Sequence, residues 1–237
     1  MIFAQSLDIT KNDIVCIVGA GGKSSLMSCV ASELADSGLS VLVTTTTKMG
    51  KRQINSYLNV DTEGQFFKNI DIKSGVYACA TFSDEKALAP DIKDLKSNMG
   101  RFDVVLIEAD GSACKPLKGW RADEPVIPDF TTKTVGVVDI SVVGKTITGG
   151  IVHRPELFTE ITGKKFGDIF QIEDCVSLIE SENGIFQNSN DQQKYIYCSK
   201  AETEETLSNV TSLNQLLDSS IKLTAGSVFN KTIVEYY

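Results

Sequence analysis

Residues 14–25 read Ile14-Val15-Cys16-Ile17-Val18-Gly19-Ala20-Gly21-Gly22-Lys23-Ser24-Ser25. The first five form a continuous apolar run, the pattern of a strand buried on both faces. Past the glycines, Leu26, Val30 and Leu34 recur at i, i+4 and i+8 beside Met27 and Ala31, which predicts a helix with one apolar stripe. Gly38 follows the last apolar position and suits a left-handed C-terminal cap. Between strand and helix, residues without side chains let backbone N–H groups converge on phosphate oxygens. The helix start adds the positive end of its dipole. In that arrangement Lys23 reaches the β and γ phosphates and Ser24 Oγ ligates Mg²⁺. The phosphate-binding candidates are therefore Gly19, Ala20, Gly21, Gly22, Lys23, Ser24 and Ser25. Counted back from Gly22-Lys23-Ser24, the loop is two residues shorter than the eight-residue phosphate loop, since Ile17 stands where its first glycine belongs. The spacing is the shorter G-x-x-G-K-[ST] form. A glycine-rich dinucleotide turn is the alternative.

Outward from this stretch the pattern keeps alternating. Apolar runs at 41–43, 76–80, 104–107, 135–138 and 195–198 predict strands, and helices are expected near 84–97, 155–162, 173–182 and 203–217. Strand and helix in alternation imply an α/β fold, a three-layer, doubly wound and mostly parallel sheet resembling the P-loop NTPases. No Pro/Gly/Ser linker divides the chain, so one domain is expected over 1–237, with a core to about residue 150 and a C-terminal extension over 151–237. The polar run Gln187 to Gln193 reads as a mobile surface loop.

A second signal is Asp103-Val104-Val105-Leu106-Ile107-Glu108-Ala109-Asp110-Gly111-Ser112. Here an apolar strand ends in two carboxylates at i and i+2, on one side of the chain. In a parallel sheet that end is where ligands gather. One of Glu108 and Asp110 can hold Mg²⁺ with Ser24, and the other can orient or deprotonate a nucleophile, which makes Lys23, Glu108 and Asp110 the catalytic candidates and Ser24 and Asp110 the metal candidates. Thr44-Thr45-Thr46-Thr47-Lys48 ends the second strand at the same edge, and Thr46 and Lys48 are candidates for phosphate contact. Lys200 and Glu202 follow the strand at 195–198, in a placement resembling the N-K-x-D element that reads guanine, with Ser199 for the asparagine and Glu202 for the aspartate. The competing reading is a helix start, Ser199 being the N-cap and Glu202, Glu204 and Glu205 favouring the dipole. Gly144-Lys145-Thr146 repeats G-K-[ST] without a glycine-rich approach and reads as a turn. Cys114 to Arg121 is a basic loop suited to an anionic second substrate, or else a solvated connection. His153 reads as a helix-start residue.

Charge narrows the partners. Twenty-three Lys and Arg against 31 Asp and Glu give a net −8, against the basic face of a nucleic-acid binder. No apolar run approaches the roughly 18 residues of a membrane span, and the N-terminus lacks a basic start and long apolar stretch, so a cytoplasmic protein is expected. Six scattered cysteines without a C-x-x-C pair are expected to be reduced and mostly buried, and a single histidine argues against zinc.

Taken together, several blocks resemble the YqeC family. They are Gly19 to Ser25, Thr44 to Lys48, Glu108-Ala109-Asp110-Gly111-Ser112 with Lys115-Pro116-Leu117-Lys118, Glu124-Pro125-Val126-Ile127-Pro128, and His153-Arg154-Pro155-Glu156. Where the family often has a histidine before Glu-Pro-Val-Ile-Pro, this chain has Asp123. The resemblance implies a P-loop nucleotide-binding protein acting as an accessory factor of a selenium-dependent molybdenum hydroxylase, with that enzyme or its maturation proteins as partners. The expectation is an Mg²⁺-dependent protein that takes ATP or GTP, an NTPase or phosphotransferase. A nucleotide-gated chaperone or scaffold and a small kinase or Mur-like ligase are the alternatives.

Overall fold

The computed structural model describes residues 2–83, 86–189 and 192–236. Nine strands make up the main β-structure: β1 (Ile14–Gly19), β2 (Ser40–Thr45), β3 (Asn59–Asp61), β4 (Gly75–Cys79), β5 (Val104–Glu108), β6 (Lys133–Asp139), β7 (Gln193–Ser199), β8 (Lys222–Ser227) and β9 (Thr232–Tyr236). The larger helices are α1 (Lys23–Asp36), α2 (Ile92–Asn98), α3 (Pro155–Thr162), α4 (Ile172–Glu180) and α5 (Glu204–Leu216). The fold is α/β with mostly parallel pairing, as the alternation predicts. The chain forms two compact units that share it discontinuously: 1–17, 24–111 and 126–133 in the first, 18–23, 112–125 and 134–237 in the second.

In the first unit the strands lie in the order β1-β5-β2-β4-β3, every neighbouring pair parallel. Helix α1 carries the chain from β1 two places along to β2, while α2 precedes the return past β2 to β5. By the right-handed rule for parallel crossovers, connections running in opposite directions carry their helices to opposite faces, the doubly wound arrangement. The apolar runs fill the space between the layers: Val15, Cys16, Ile17, Val41, Leu42, Val43, Leu106 and Ile107 are all at most 1% exposed. The stripe Leu26, Met27, Val30, Ala31 and Leu34 is buried against them to the same degree. At roughly 1.5–3 kcal/mol per large aliphatic side chain, this burial is what holds α1 in place. Gly38 ends the helix turn at φ +94°, the left-handed conformation expected of it.

In the second unit the order is β6-β7-β8-β9; β7 and β8 are parallel, and β8 and β9 form an antiparallel hairpin. Helices α3, α4 and α5 fall where the apolar periodicity puts them.

Three expectations are corrected. The helix near 84–97 is shorter: Asp84 and Glu85 lie outside the described residues, and Lys86–Leu88 is a strand, paired antiparallel with Lys48–Gly50 and with Thr81–Phe82. Pro90 disfavours helical backbone before it, and Asp91 caps α2 by accepting from Lys93 N at 2.7 Å. The second correction concerns the polar run at 187–193, in which Asn190 and Asp191 lie outside the described residues. Gln187 Nε2 donates to Arg121 O at 2.5 Å and Asn188 Nδ2 to Pro125 O at 3.2 Å, so this part of the run is tied down. The third is the helix start at 199. The N-cap of α5 is Thr203, whose Oγ1 accepts from Thr206 N at 3.2 Å.

Among the described residues no helix is long and apolar enough to cross a membrane. None of the six cysteines is joined in a disulfide; four are buried and Cys114 is exposed. Burial pushes the Cys16 and Cys198 thiols up to about 12, so both stay protonated at neutral pH.

Candidate functional site

At the carboxyl ends of the parallel strands in the first unit, register sets Glu108 level with Ile17 of β1 and Thr45 of β2. Glu108 is 6% exposed and closes its strand. Ser24, in the first turn of α1, donates from Oγ to Glu108 Oε2 at 2.8 Å. Thr45 Oγ1 donates to Glu108 O at 2.8 Å and Thr46 N to the same oxygen at 3.2 Å, which fixes the backbone that carries the carboxylate. Thr46 Oγ1 is committed to Val126 O at 2.6 Å, and Lys48 is exposed at the start of a three-residue strand. Asp110, two residues past β5, is fully buried. Its charge adds to the burial that raises Cys16. Tyr57 is pushed up to about 12, by burial first and then by the charge of Glu108, with a hydrogen bond from Ser28 opposing.

The glycine loop belongs to the second unit as far as Lys23. Gly19 and Gly21 have φ of +96° and +80°, which disfavours any residue with a Cβ. Space demands the same: a Cβ on Gly21 would stand 2.4 Å from Asp139 Cβ. Ala20 N donates to Val137 O at 3.0 Å, and Ser199 Oγ to Gly21 O at 2.6 Å. Lys23, 5% exposed, turns its ammonium back onto Gly19 O at 2.6 Å. Ser25 is exposed on the first turn of α1. The loop is thus a set of glycine-dependent backbone positions with a lysine folded over its own entrance.

Lys200 and Glu202 each hold a partner in the second unit. Lys200 pairs with the buried Asp139, and Glu202 Oε1 accepts from Ser227 Oγ at 2.6 Å. Gly144 lies in a turn at φ +81°, as the absence of a glycine-rich approach predicts.

The basic loop after Ser112 is not a solvated connection. Lys118 and Trp120 are 1% and 5% exposed. Glu124 gathers Lys118 Nζ at 3.4 Å, Arg121 Nη2 at 3.2 Å and both terminal nitrogens of Arg154. Burial raises the Glu124 carboxyl, but hydrogen bonds and charge from Arg154 and Lys118 outweigh it and hold the group below its ordinary range. His153 lies in a two-residue strand beside Leu117–Lys118, ahead of the helix start at Arg154. Burial and the neighbouring Arg154, Lys118 and Lys115 lower its proton affinity, so the imidazole is neutral near pH 7.

One residue at the site carries no sequence signal. Gln53, on the short helix Lys51–Ile54, donates from Nε2 to Ser24 Oγ at 2.5 Å. Tertiary approach brings it there across 29 positions of sequence.

The profile of the YqeC protein family matches residues 15–156, more than half of the chain. The chain belongs to the YqeC family. The match takes in the glycine loop, Glu108, Asp110 and the ion pairs around Glu124, and it ends before β7, so Lys200 and Glu202 lie outside it. A relative from Escherichia coli strain K12, described as uncharacterized protein YqeC, is 31% identical over 180 residues, covering 74% of this chain and 70% of its own. No solved structure matches the chain.

Proposed function

We propose that the chain binds a nucleoside triphosphate with Mg²⁺ and hydrolyses or transfers its terminal phosphoryl group, as an accessory factor in maturing a selenium-dependent molybdenum hydroxylase. The observation that carries the nucleotide reading is the 2.8 Å hydrogen bond from Ser24 to Glu108 at the head of the helix that follows the glycine loop. The accessory role rests on the family resemblance.

The residues suit Mg²⁺ rather than a softer ion. Ser24 and Glu108 offer oxygen, and among the described residues no cluster of three or more His, Cys, Asp or Glu forms a cage. Mg²⁺ ordinarily takes one or two protein oxygens and completes its shell with water and phosphate. Bound there, it would neutralise charge developing on the phosphoryl oxygens. The chain's own part is positional. Backbone N–H groups of residues 21–24 cradle the phosphates, and Lys23 exchanges Gly19 O for a phosphate oxygen, a stronger charge-assisted partner. Glu108 keeps the Ser24 proton turned toward itself, and Asp110 is the carboxylate left for the attacking group.

Calorimetric titration of the chain with MgATP and with MgGTP tests this. Lys23→Ala, with the fold intact by circular dichroism, lowers affinity at least about ten-fold, the scale of a hydrogen bond to a charged group. Unchanged affinity refutes the phosphate loop.

A further inference from the structure

The proton positions around Ser24 follow from the backbone outward. Gly50 N–H donates to Gln53 Oε1 at 2.8 Å, which fixes which end of the Gln53 amide is oxygen. The nitrogen end therefore faces Ser24, 2.5 Å from Oγ, as a donor. Ser24 Oγ accepts there and sends its single proton to Glu108 Oε2. The relay runs one way, from Gly50 through Gln53 and Ser24 to Glu108. A hydroxyl oxygen has two lone pairs, and Gln53 takes one of them.

We infer that Gln53 is a positioning residue for the metal: its amide holds the Ser24 hydroxyl so that the second lone pair is the one presented to Mg²⁺. The inference rests on the nucleotide reading above. Gln53 acts through Ser24 and needs no contact with phosphate. Its own hold on Gly50 places it at the junction of the strand Lys48–Gly50 and the helix Lys51–Ile54, so the amide is fixed from both sides. Without the amide donor the Ser24 hydroxyl is anchored at Glu108 but no longer from the Gln53 side, and its oxygen is less firmly preset for a cation.

The test uses the full chain and measures the Mg²⁺ concentration for half-maximal binding of ATP and of GTP by calorimetry, with melting temperature as the check on folding. Gln53→Met removes the donor and raises that concentration about five-fold, the scale of one neutral hydrogen bond. Nucleotide affinity in EDTA stays at the wild-type value, a split that a merely structural role would not produce. Ser24→Ala also raises the Mg²⁺ requirement, and in that background Gln53→Met adds nothing, because the two act as one unit. Should Gln53→Met fail to fold, Gln53→Leu removes the donor in a similar volume without adding charge, and it raises the requirement by a similar factor. A wild type whose nucleotide binding ignores Mg²⁺ overturns the nucleotide reading and this inference together. An Mg²⁺-dependent wild type overturns this inference alone if the folded variant keeps the wild-type requirement, or if its effect persists undiminished in Ser24→Ala.

Discussion

Gly21 and Gly144 form a controlled pair for asking what the glycine loop requires. Both stand in the second unit, at φ of +80° and +81°, and each lies two residues or fewer before a lysine followed by a hydroxyl residue. A Cβ on either meets the same left-handed backbone, at about 1–2 kcal/mol. Their surroundings differ. Nothing lies within 4 Å of the position a Gly144 Cβ would take. A Gly21 Cβ would stand 2.4 Å from Asp139 Cβ and 2.9 Å from its Oδ2. Asp139 has little freedom to yield: it is 1% exposed, its Oδ1 accepts from Ser141 N at 3.1 Å and Ser141 Oγ at 2.6 Å, and Lys200 pairs with its other oxygen. Overpacking of that kind costs about 1–3 kcal/mol more. Gly144→Ala is therefore expected to destabilise by about 1–2 kcal/mol and Gly21→Ala by about 2–5 kcal/mol. Urea titration followed by far-ultraviolet circular dichroism reads both, and a chain this long loses roughly 2–4 °C in melting temperature per kcal/mol. Equal losses in the two variants would refute the close packing of Gly21 on Asp139. A larger loss for Gly144→Ala would reverse it.

Three further outcomes follow from the site and its supports. Glu108→Gln and Asp110→Asn are expected to keep nucleotide affinity within about ten-fold while turnover falls by roughly two to three orders of magnitude, and wild-type turnover in both removes them from the chemistry. Glu202→Gln lowers any preference for GTP over ATP in competition binding without weakening phosphate contacts; equal affinities in the wild type leave Glu202 only its hydrogen bond with Ser227. The Asp103 carboxyl is held at about 2, chiefly by the Ser40 backbone N–H and then by Lys11 and the Ser40 hydroxyl. Because its folded value is depressed, the stability it adds is present above about pH 4, its ordinary titration, and is lost as pH falls toward 2. The stability difference between wild type and Asp103→Asn should close over that window in acid titrations; a constant difference would contradict the assignment.

What the sequence made legible is what local chemistry dictates. The run at 14–18, the glycines and the stripe on α1 each follow from one short segment's own needs, and the structure has them in place. Lys86–Leu88 was hidden because its strand character comes from Lys48–Gly50, a partner far away in the chain. The β8–β9 hairpin has no counterpart among the predicted strands although Thr232-Ile233-Val234-Glu235-Tyr236 is rich in β-branched and aromatic residues, which favour a strand. Ser199 looks like a cap from its neighbours, but its hydroxyl is held by Gly21 O, 178 residues away in sequence. Gln53 and the convergence on Glu124 are likewise products of tertiary approach, with no fixed spacing to read. Lys118 illustrates the reason: a lysine in a basic run looks solvated until the fold closes a carboxylate and an indole over it, here with Nζ 5.3 Å from the centre of the Trp120 ring.

The hydrogen bond from Ser199 to Gly21 also sets a schedule for the newborn chain. The glycine loop leaves the ribosome early, but Val137, Asp139 and Ser199, against which it is shaped, follow much later. At 5–20 residues per second the 178 residues between Gly21 and Ser199 take roughly 10–40 s to make. Until the end of that interval the loop lacks the full set of walls that gives it its geometry, Val137 and Asp139 arriving before Ser199. A growing chain is therefore expected to ignore nucleotide until translation is nearly finished. Ribosome-arrested chains ending before Ser199 should show no protection of the loop from protease by MgATP or MgGTP. Protection in such chains would mean that the loop takes its shape without those walls.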